Sequence, residues 1–266
     1  PQLAEQLKRV RKSGFTLAPE AGSARMRRVI NKGNDEGDLL TAVRAPFGAG
    51  WSVVKMYFMV GLPFENDEDV AAIADLSKRA LREGRKLKQA AKLKASASTF
   101  VPKPHTPFQF APMIPRDENR RRQWIVVQGL RNSGVDFKYH DSAQTIAEGM
   151  LSRADRRMGK VIERVYLAGG RLDGWTEHFS LERWTSAMEA EGLSVDEALG
   201  PRSKDDCLPW DHIDCLMPKQ WMWDDYEAAR QEVFIDDCAL ADKPLSLIHI
   251  SEPTRLRRIS YAVFCL

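Results

Sequence analysis

Three short segments concentrate residue types that suit a nucleoside-like ligand: APEAGS ending at Ser23, VGLPFE ending at Glu65, and FVPKPHTPF ending at Phe108. Glu20 offers a carboxylate acceptor for ribose hydroxyls or an amino group, and a charged hydrogen bond of that kind contributes about 1.5–3 kcal/mol when buried. Gly22 and Ser23 set backbone N–H groups at a helix start, where a carboxylate or phosphate is favoured. Gly61 lets the backbone come close to a flat ring. Phe100, with Pro102 and Pro104 beside it, can form a stiff apolar wall. Each residue also has a plainer role: Ser23 as a helix cap, Gly61 as a strand exit, the prolines of 102–107 as a stiff loop, Glu65 as the start of the next helix. Taken singly the plain role is preferred, except for Glu65, where the two weigh about equally. Taken jointly on one rim, a binding site is.

The elements that must bring them together read in alternation. FTLAP is a short strand after a first helix that ends at Gly14, a glycine in the position that terminates helices. Ser23 caps ARMRRVIN, which stops at Gly33. Asp35, Glu36 and Asp38 open another helix at its positive end. Pro46 predicts a kink or an early stop there, because an interior proline costs about 3 kcal/mol. VVKMYFMV, between Gly50 and Gly61, reads as a strand buried on both faces. DEDVAAIADLSKRALREG is an amphipathic helix with acids first and bases last. KLKASASTFV is a further strand. This β-α-β-α-β order implies parallel strands with right-handed helical crossovers. Ligands meet such sheets at the C-terminal strand ends, so all three segments open on one rim. An open sheet and part of a (β/α) barrel both satisfy the pattern.

Beyond residue 115 the character changes. RDENRRRQWIVVQGLRN is a helix and VDFKYHD one more strand. AQTIAEGMLSRADRRMGKVIERVYLAGG is one long helix or two joined. SLERWTSAMEAEG is a short helix capped by Ser180. From residue 193 the chain reads as loop-rich, anchored by Trp210, Trp221 and Trp223. The sequence thus divides into 1–115, 116–244 and a terminal stretch, 245–266, whose pieces LSLIHISEPTR and ISYAVFCL resemble translated sequencing-adapter ends. That stretch is set aside from fold reasoning, and His249 and Cys265 with it.

The chain has 266 residues, 43% hydrophobic and 29% charged, and a net charge of +3, an ordinary balance for a soluble globular protein. It carries no apolar run long enough for a membrane span and no signal-peptide pattern at its start. Cys207, Cys215, Cys238 and Cys265 form no CxxC pair, which fits a reducing cytoplasm and ordinary thiols. Three sets join histidine to carboxylates: His140 with Asp141, His178 with Asp173 and Glu177, and His212 with Asp211 and Asp214. Their spacing matches no tight metal site. Hydrogen-bonded histidines are the expectation, or loops that cover the barrel mouth. Arg116, Arg120, Arg121 and Arg122, and Arg153, Arg156 and Arg157, are interleaved with acids, so a solvated face is preferred to an RNA groove.

GFTLAPEAGSARMRRVINKG resembles the fourth-strand region of radical SAM enzymes, where an ExGS-type turn meets the cofactor. KMYFMVGLPFENDEDV is similar to their fifth-strand motif, closed by G-x-P-x-E, and TFVPKPHTPFQ resembles their sixth-strand segment. With DGWTEHF and WDHID, the wording most resembles uncharacterised B12-binding radical SAM proteins of bacteria, over residues 9 to 240.

The resemblance implies the C-terminal half of a partial (β/α)6 barrel of TIM-like type, with a mainly helical C-terminal extension. It implies S-adenosylmethionine as cofactor, a [4Fe–4S] cluster held by three cysteines, a reductant protein, and cobalamin through an upstream domain. One electron would cleave the cofactor to a 5′-deoxyadenosyl radical. Carried residue by residue, Glu20, Gly22, Ser23 and Arg25 match the fourth-strand turn, Gly61 and Glu65 the fifth-strand motif, and Phe100 and Pro102 the adenine side. Lys55 would face the barrel interior with Glu20 as a partner. Asp237-Cys238 would begin a cysteine-rich ending. The CxxxCxxC loop is expected upstream of this sequence, so the chain reads as a fragment unable to run the chemistry alone. Two other readings stay open: a cluster-free (β/α) barrel enzyme for a phosphorylated ligand, and an RNA-binding module.

Overall fold

The structure is a computed structural model that describes residues 15–140 and 142–235. Its first part alternates strands with helices, two of them between the first pair of strands: β1 (Phe15–Glu20), α1 (Ala24–Val29), α2 (Glu36–Gly48), β2 (Val53–Val60), α3 (Asp67–Leu87), β3 (Lys92–Thr99), α4 (Arg116–Leu130) and β4 (Asp136–Tyr139). The strands form one sheet in the order β1-β2-β3-β4, and every neighbouring pair is parallel. The α/β class and the parallel sheet are as the sequence implied.

Local chemistry explains the elements. Ser23 caps α1 by accepting from the Met26 N–H, and Asp35 caps α2 through Asp38. Asn66 and Asp69 close a reciprocal capping box on α3. The buried face of α3 repeats at helical spacing through Val70, Ile73, Ala74, Ser77 and Leu81. It packs on Val54, Met56, Phe58 and Leu93 of the sheet in the main hydrophobic core. Full burial of each such side chain contributes about 1.5–3 kcal/mol.

Two expectations need correction. Helix α2 does not stop at Pro46: it runs on to Gly48, because the proline falls in the last turn, where a missing hydrogen bond and a ring clash disturb little that follows. Strand β2 is not buried on both faces. Val54, Met56, Phe58 and Val60 are buried, whereas Lys55 and Tyr57 are exposed, because the helices cover one face only. The open face continues with Lys94 and Ser98 on β3 and Lys138 on β4. Past residue 115, strand β4 pairs with β3 and α4 packs against α3.

The remainder is mainly helical: α5 (Ser142–Arg153), α6 (Met158–Leu167), α7 (Leu181–Ala190), α8 (Val195–Leu199) and α9 (Lys219–Arg230). The long segment after residue 142 is thus two helices, with a break between Arg153 and Met158. Ser180 caps α7 as its position suggested. The region after residue 193 is less loop-rich than expected, since Ser194 caps α8 and α9 follows. Trp210 does anchor it: the indole is buried and its Nε1 donates to Gln109 Oε1 at 2.7 Å. Trp221 and Trp223 pack half-buried against the same cluster as Trp210, Phe110 and Tyr226. Helix α9 thereby rests on the 3₁₀ turn at Pro107–Phe110, beside the C-terminal edge of the sheet. Among the described residues no helix is long and apolar enough to cross a membrane.

The first helix ending at Gly14, Asp141, the Asp237-Cys238 pair and the 245–266 stretch lie outside the described residues.

Candidate functional site

The β1–β2 register is interrupted between Leu17 and Glu20, and Glu20 leaves the strand with φ of 66°. A non-glycine residue held in that region costs on the order of 1–3 kcal/mol and persists only where its surroundings enforce it. Lys32, just past α1, supplies part of that enforcement. Its Nζ donates to the Ala18 carbonyl at 2.6 Å and lies 3.3 Å from Glu20 Oε1. Glu20 is half-buried, so its carboxylate remains within reach of solvent.

These two residues line a cavity of about 630 Å³ at the C-terminal edge of the sheet, together with Tyr57, Ser98, Phe100 and Phe108. Phe100 extends β3 by one residue, its N–H donating to the Val60 carbonyl at 2.9 Å. Its ring meets Phe108 edge-on at 5.7 Å, which stiffens one wall. An apolar wall, a carboxylate, an ammonium and two hydroxyls thus converge on a space large enough for a small organic ligand. Of the eight residues singled out from the sequence, Glu20 and Phe100 line this cavity.

The other members of the first turn are engaged in packing. A Cβ on Gly22 would stand 2.2 Å from the Ile73 N and 2.5 Å from the Ala72 carbonyl carbon, so glycine is needed for α3 to approach. The Ser23 hydroxyl donates to Asp69 Oδ1 at 2.6 Å while accepting from Met26. Arg25 ion-pairs with Asp69 and donates to the Phe64 carbonyl and to Glu232, each at 2.7 Å. Burial alone would raise the Asp69 carboxyl. The hydrogen bonds from Arg25 and Ser23 outweigh it and hold the group below its ordinary range. Ser23, Arg25 and Asp69 therefore clasp α1 to α3.

Gly61 and Glu65 face another space. Gly61 has φ of 85°, and a Cβ there would come within 2.5 Å of the Ile114 side chain. Its N–H donates to Glu65 Oε2 at 2.7 Å, and Arg122 Nη1 approaches the same oxygen at 3.1 Å. Asn66 is the cap of α3, so Glu65 precedes the helix and turns inward instead of beginning it. Burial pushes its carboxyl up to about 7, against the lowering effect of the Gly61 N–H and Arg122. Both residues line a second cavity of about 650 Å³. Pro102 is buried and lines neither cavity.

Lys55 is exposed on the open face, and the partner of Glu20 is Lys32, not Lys55. His140, His178 and His212 are all exposed. Nearby carboxylates serve other groups: Asp173 accepts from Trp184 Nε1 at 2.8 Å, and Asp211 pairs with Lys219 at 2.8 Å. Among the described residues no group of three or more His, Cys, Asp or Glu is placed to hold a metal ion. Four of the seven arginines singled out from the sequence are tied down as well. Arg121 pairs with Asp67 and Glu118, Arg122 with Glu118 and Glu65, Arg157 with Asp155, and Arg153 is fully buried.

Lys32, Tyr57 and Ser98 were missed by sequence reasoning. For Tyr57 and Ser98 a signal existed: each lies an even number of residues from an exposed lysine of its own strand, hence on the same face. Lys32 follows a helix end and carried none.

No family model matches the chain, and no solved structure matches it. An uncharacterised protein of Methanocaldococcus jannaschii is 32% identical to it over 179 residues, covering 67% of this chain and 38% of that protein. The chain therefore spans well under half the length of this relative.

Proposed function

We propose that the chain is part of a radical SAM enzyme, the C-terminal half of its barrel, and that the cavity between Glu20 and Phe100 receives the adenosyl portion of S-adenosylmethionine. One observation carries this reading. A carboxylate, two hydroxyls and an aromatic wall meet at the C-terminal ends of adjacent parallel strands, in a cavity of about 630 Å³. Glu20 would accept from the ribose hydroxyls, with Lys32 fixing its direction. Phe100 and Phe108 would flank the base, and Tyr57 and Ser98 offer further hydrogen bonds. The polar open face carrying Lys55, Tyr57 and Lys94 supports a barrel interior, where a closing sheet would enclose it. A cytoplasmic location and a reductant partner belong to the same proposal.

The chain's own residues fit the adenosyl group better than the cluster. Cys207 is exposed and Cys215 half-buried, and among the described residues neither belongs to a three-cysteine set. When bound, a cluster would supply the electron that cleaves the cofactor. No step of that chemistry is assigned to this chain, whose residues would bind and orient the nucleoside. Cobalamin would enter through a separate domain.

Calorimetric titration of S-adenosylhomocysteine into the 266-residue chain tests the reading. Binding with a Kd of about 1 mM or tighter, weakened about tenfold by Phe100→Ala, is expected. Absence of binding to a folded chain contradicts it.

A further inference from the structure

The second cavity lies on the other side of the β2 exit loop, between that loop and helices α4, α5, α8 and α9. Its walls are apolar, with Leu62, Pro63, Met113, Ile114, Ile146 and Leu199 among them. Five polar or charged residues interrupt these walls: Glu65, Arg116, Arg122, Asp196 and Tyr226, of which Glu65, Arg122 and Tyr226 carry atoms without a hydrogen bond among the described residues. The Glu65 side chain is only 2% exposed, and both of its hydrogen bonds fall on Oε2. Among the described residues its Oε1 has no hydrogen-bond partner. The Tyr226 hydroxyl has none either, although the residue is 5% exposed and its ring is packed by Phe64, Phe108, Phe110 and Trp223. Arg122 uses Nη1 on Glu65 and Nε on Glu118, which leaves Nη2 without a bond among the described residues. A mainly apolar cavity with a few convergent polar atoms is the usual form of a small-molecule site.

We propose that this cavity binds a small organic acid with an apolar body, its carboxylate received by Arg122 and Tyr226 beside the Glu65 side chain. A guanidinium can only donate, and it repels an ammonium, so an amine is the wrong head group. A carboxylate matches the guanidinium in charge and in planar geometry. Burial makes Glu65 a donor as well, because it holds the carboxyl up to about 7, where it keeps its proton near neutrality. The charged groups around Glu65 are Arg116, Glu118 and Arg122 on α4, Asp69 on α3 and Asp196 on α8. As pH rises through 7, Glu65 ionises beside the ligand's carboxylate, and binding weakens. The site is separate from the adenosyl cavity, so its failure and the failure of that reading are distinguishable.

Phenylacetate titrated into the 266-residue chain, followed by calorimetry, tests the proposal, with phenylacetamide and phenethylamine as controls. Phenylacetate is expected to bind about tenfold more tightly near pH 6 than near pH 8.5, and the controls more weakly than phenylacetate at the lower pH. Glu65→Gln removes the pH dependence, and Tyr226→Phe weakens binding about fivefold with an unchanged circular dichroism spectrum. Should Tyr226→Phe not fold, Leu199→Trp, which fills the cavity from another wall, must abolish binding. Equal binding of the amine, pH-independent binding by the natural chain, or displacement of phenylacetate by S-adenosylhomocysteine overturns it.

Discussion

The Glu20 carboxylate stands 3.3 Å from the Lys32 ammonium at the edge of the cavity walled by Phe100. Their side chains are 29% and 15% exposed, so the pair is screened and contributes at most about 1 kcal/mol to stability. Its value lies in direction: Lys32 fixes an acceptor that a ligand hydroxyl can use. Glu20→Gln is therefore expected to move the melting temperature by no more than about 3 °C while weakening S-adenosylhomocysteine binding about tenfold. Thermal denaturation beside calorimetric titration of the same variant checks both halves.

Gly22 makes the opposite prediction. A methyl group there meets backbone of α3, which cannot move aside as a flexible side chain could. Gly22→Ala is expected to destabilise the chain by about 3 kcal/mol or more, by forcing α1 away from α3 and straining the Ser23–Asp69 and Arg25–Asp69 bonds. Urea denaturation measures it, and a change under about 0.5 kcal/mol would show that the approach is loose.

Glu65 sets a pH dependence of definite sign. Its folded value, about 7, lies above its ordinary 4.5. Between those values the folded chain keeps a proton that the unfolded chain has released. Stability from this group is thus complete below about 4.5 and is lost as pH rises through 7, a change of about 3 kcal/mol. Glu65→Gln cannot titrate. The stability difference between the natural chain and this variant should shift by that amount from about pH 4 to 8, in urea titrations run at each pH.

Arg153 is buried in the helical part, where Nε donates to Ala198, Nη1 to Gln109 and Nη2 to Gly200 carbonyls at 2.9, 3.2 and 2.7 Å. Burial lowers its pKa to about 10, with the charge of Arg202 acting in the same direction, so the side chain stays charged at neutrality. It ties α5 to the 3₁₀ turn and to the end of α8. Arg153→Met leaves three carbonyls unmatched and is expected to cost about 3–5 kcal/mol. Because Gln109 also holds Trp210, the loss should appear as a red-shifted tryptophan emission before global unfolding.

Much of the architecture was legible because its signals are local. Ser23 and Ser180 announce helix starts by side-chain chemistry that acts within three residues. The strands and their parallel pairing follow from apolar runs alternating with amphipathic helices. What was not legible depends on distance along the chain. The one-sided burial of β2 is hidden by its composition, since Met56 and Tyr57 are equally acceptable letters for a buried strand. The division of the expected rim into two cavities rests on Ile114 packing at Gly61, a contact across more than fifty residues. The inward turn of Glu65 depends on Arg122, supplied from α4, and the role of Arg153 on carbonyls contributed from two separate segments.

The most direct measurement is a crystal structure of the chain grown with S-adenosylhomocysteine. The account predicts the adenosyl group between Glu20 and Phe100, with a ribose hydroxyl on the Glu20 carboxylate and the base against the Phe100 ring. Density for the nucleoside in the Glu65 cavity, or on the outer surface, with the Glu20 cavity filled only by solvent, would contradict it.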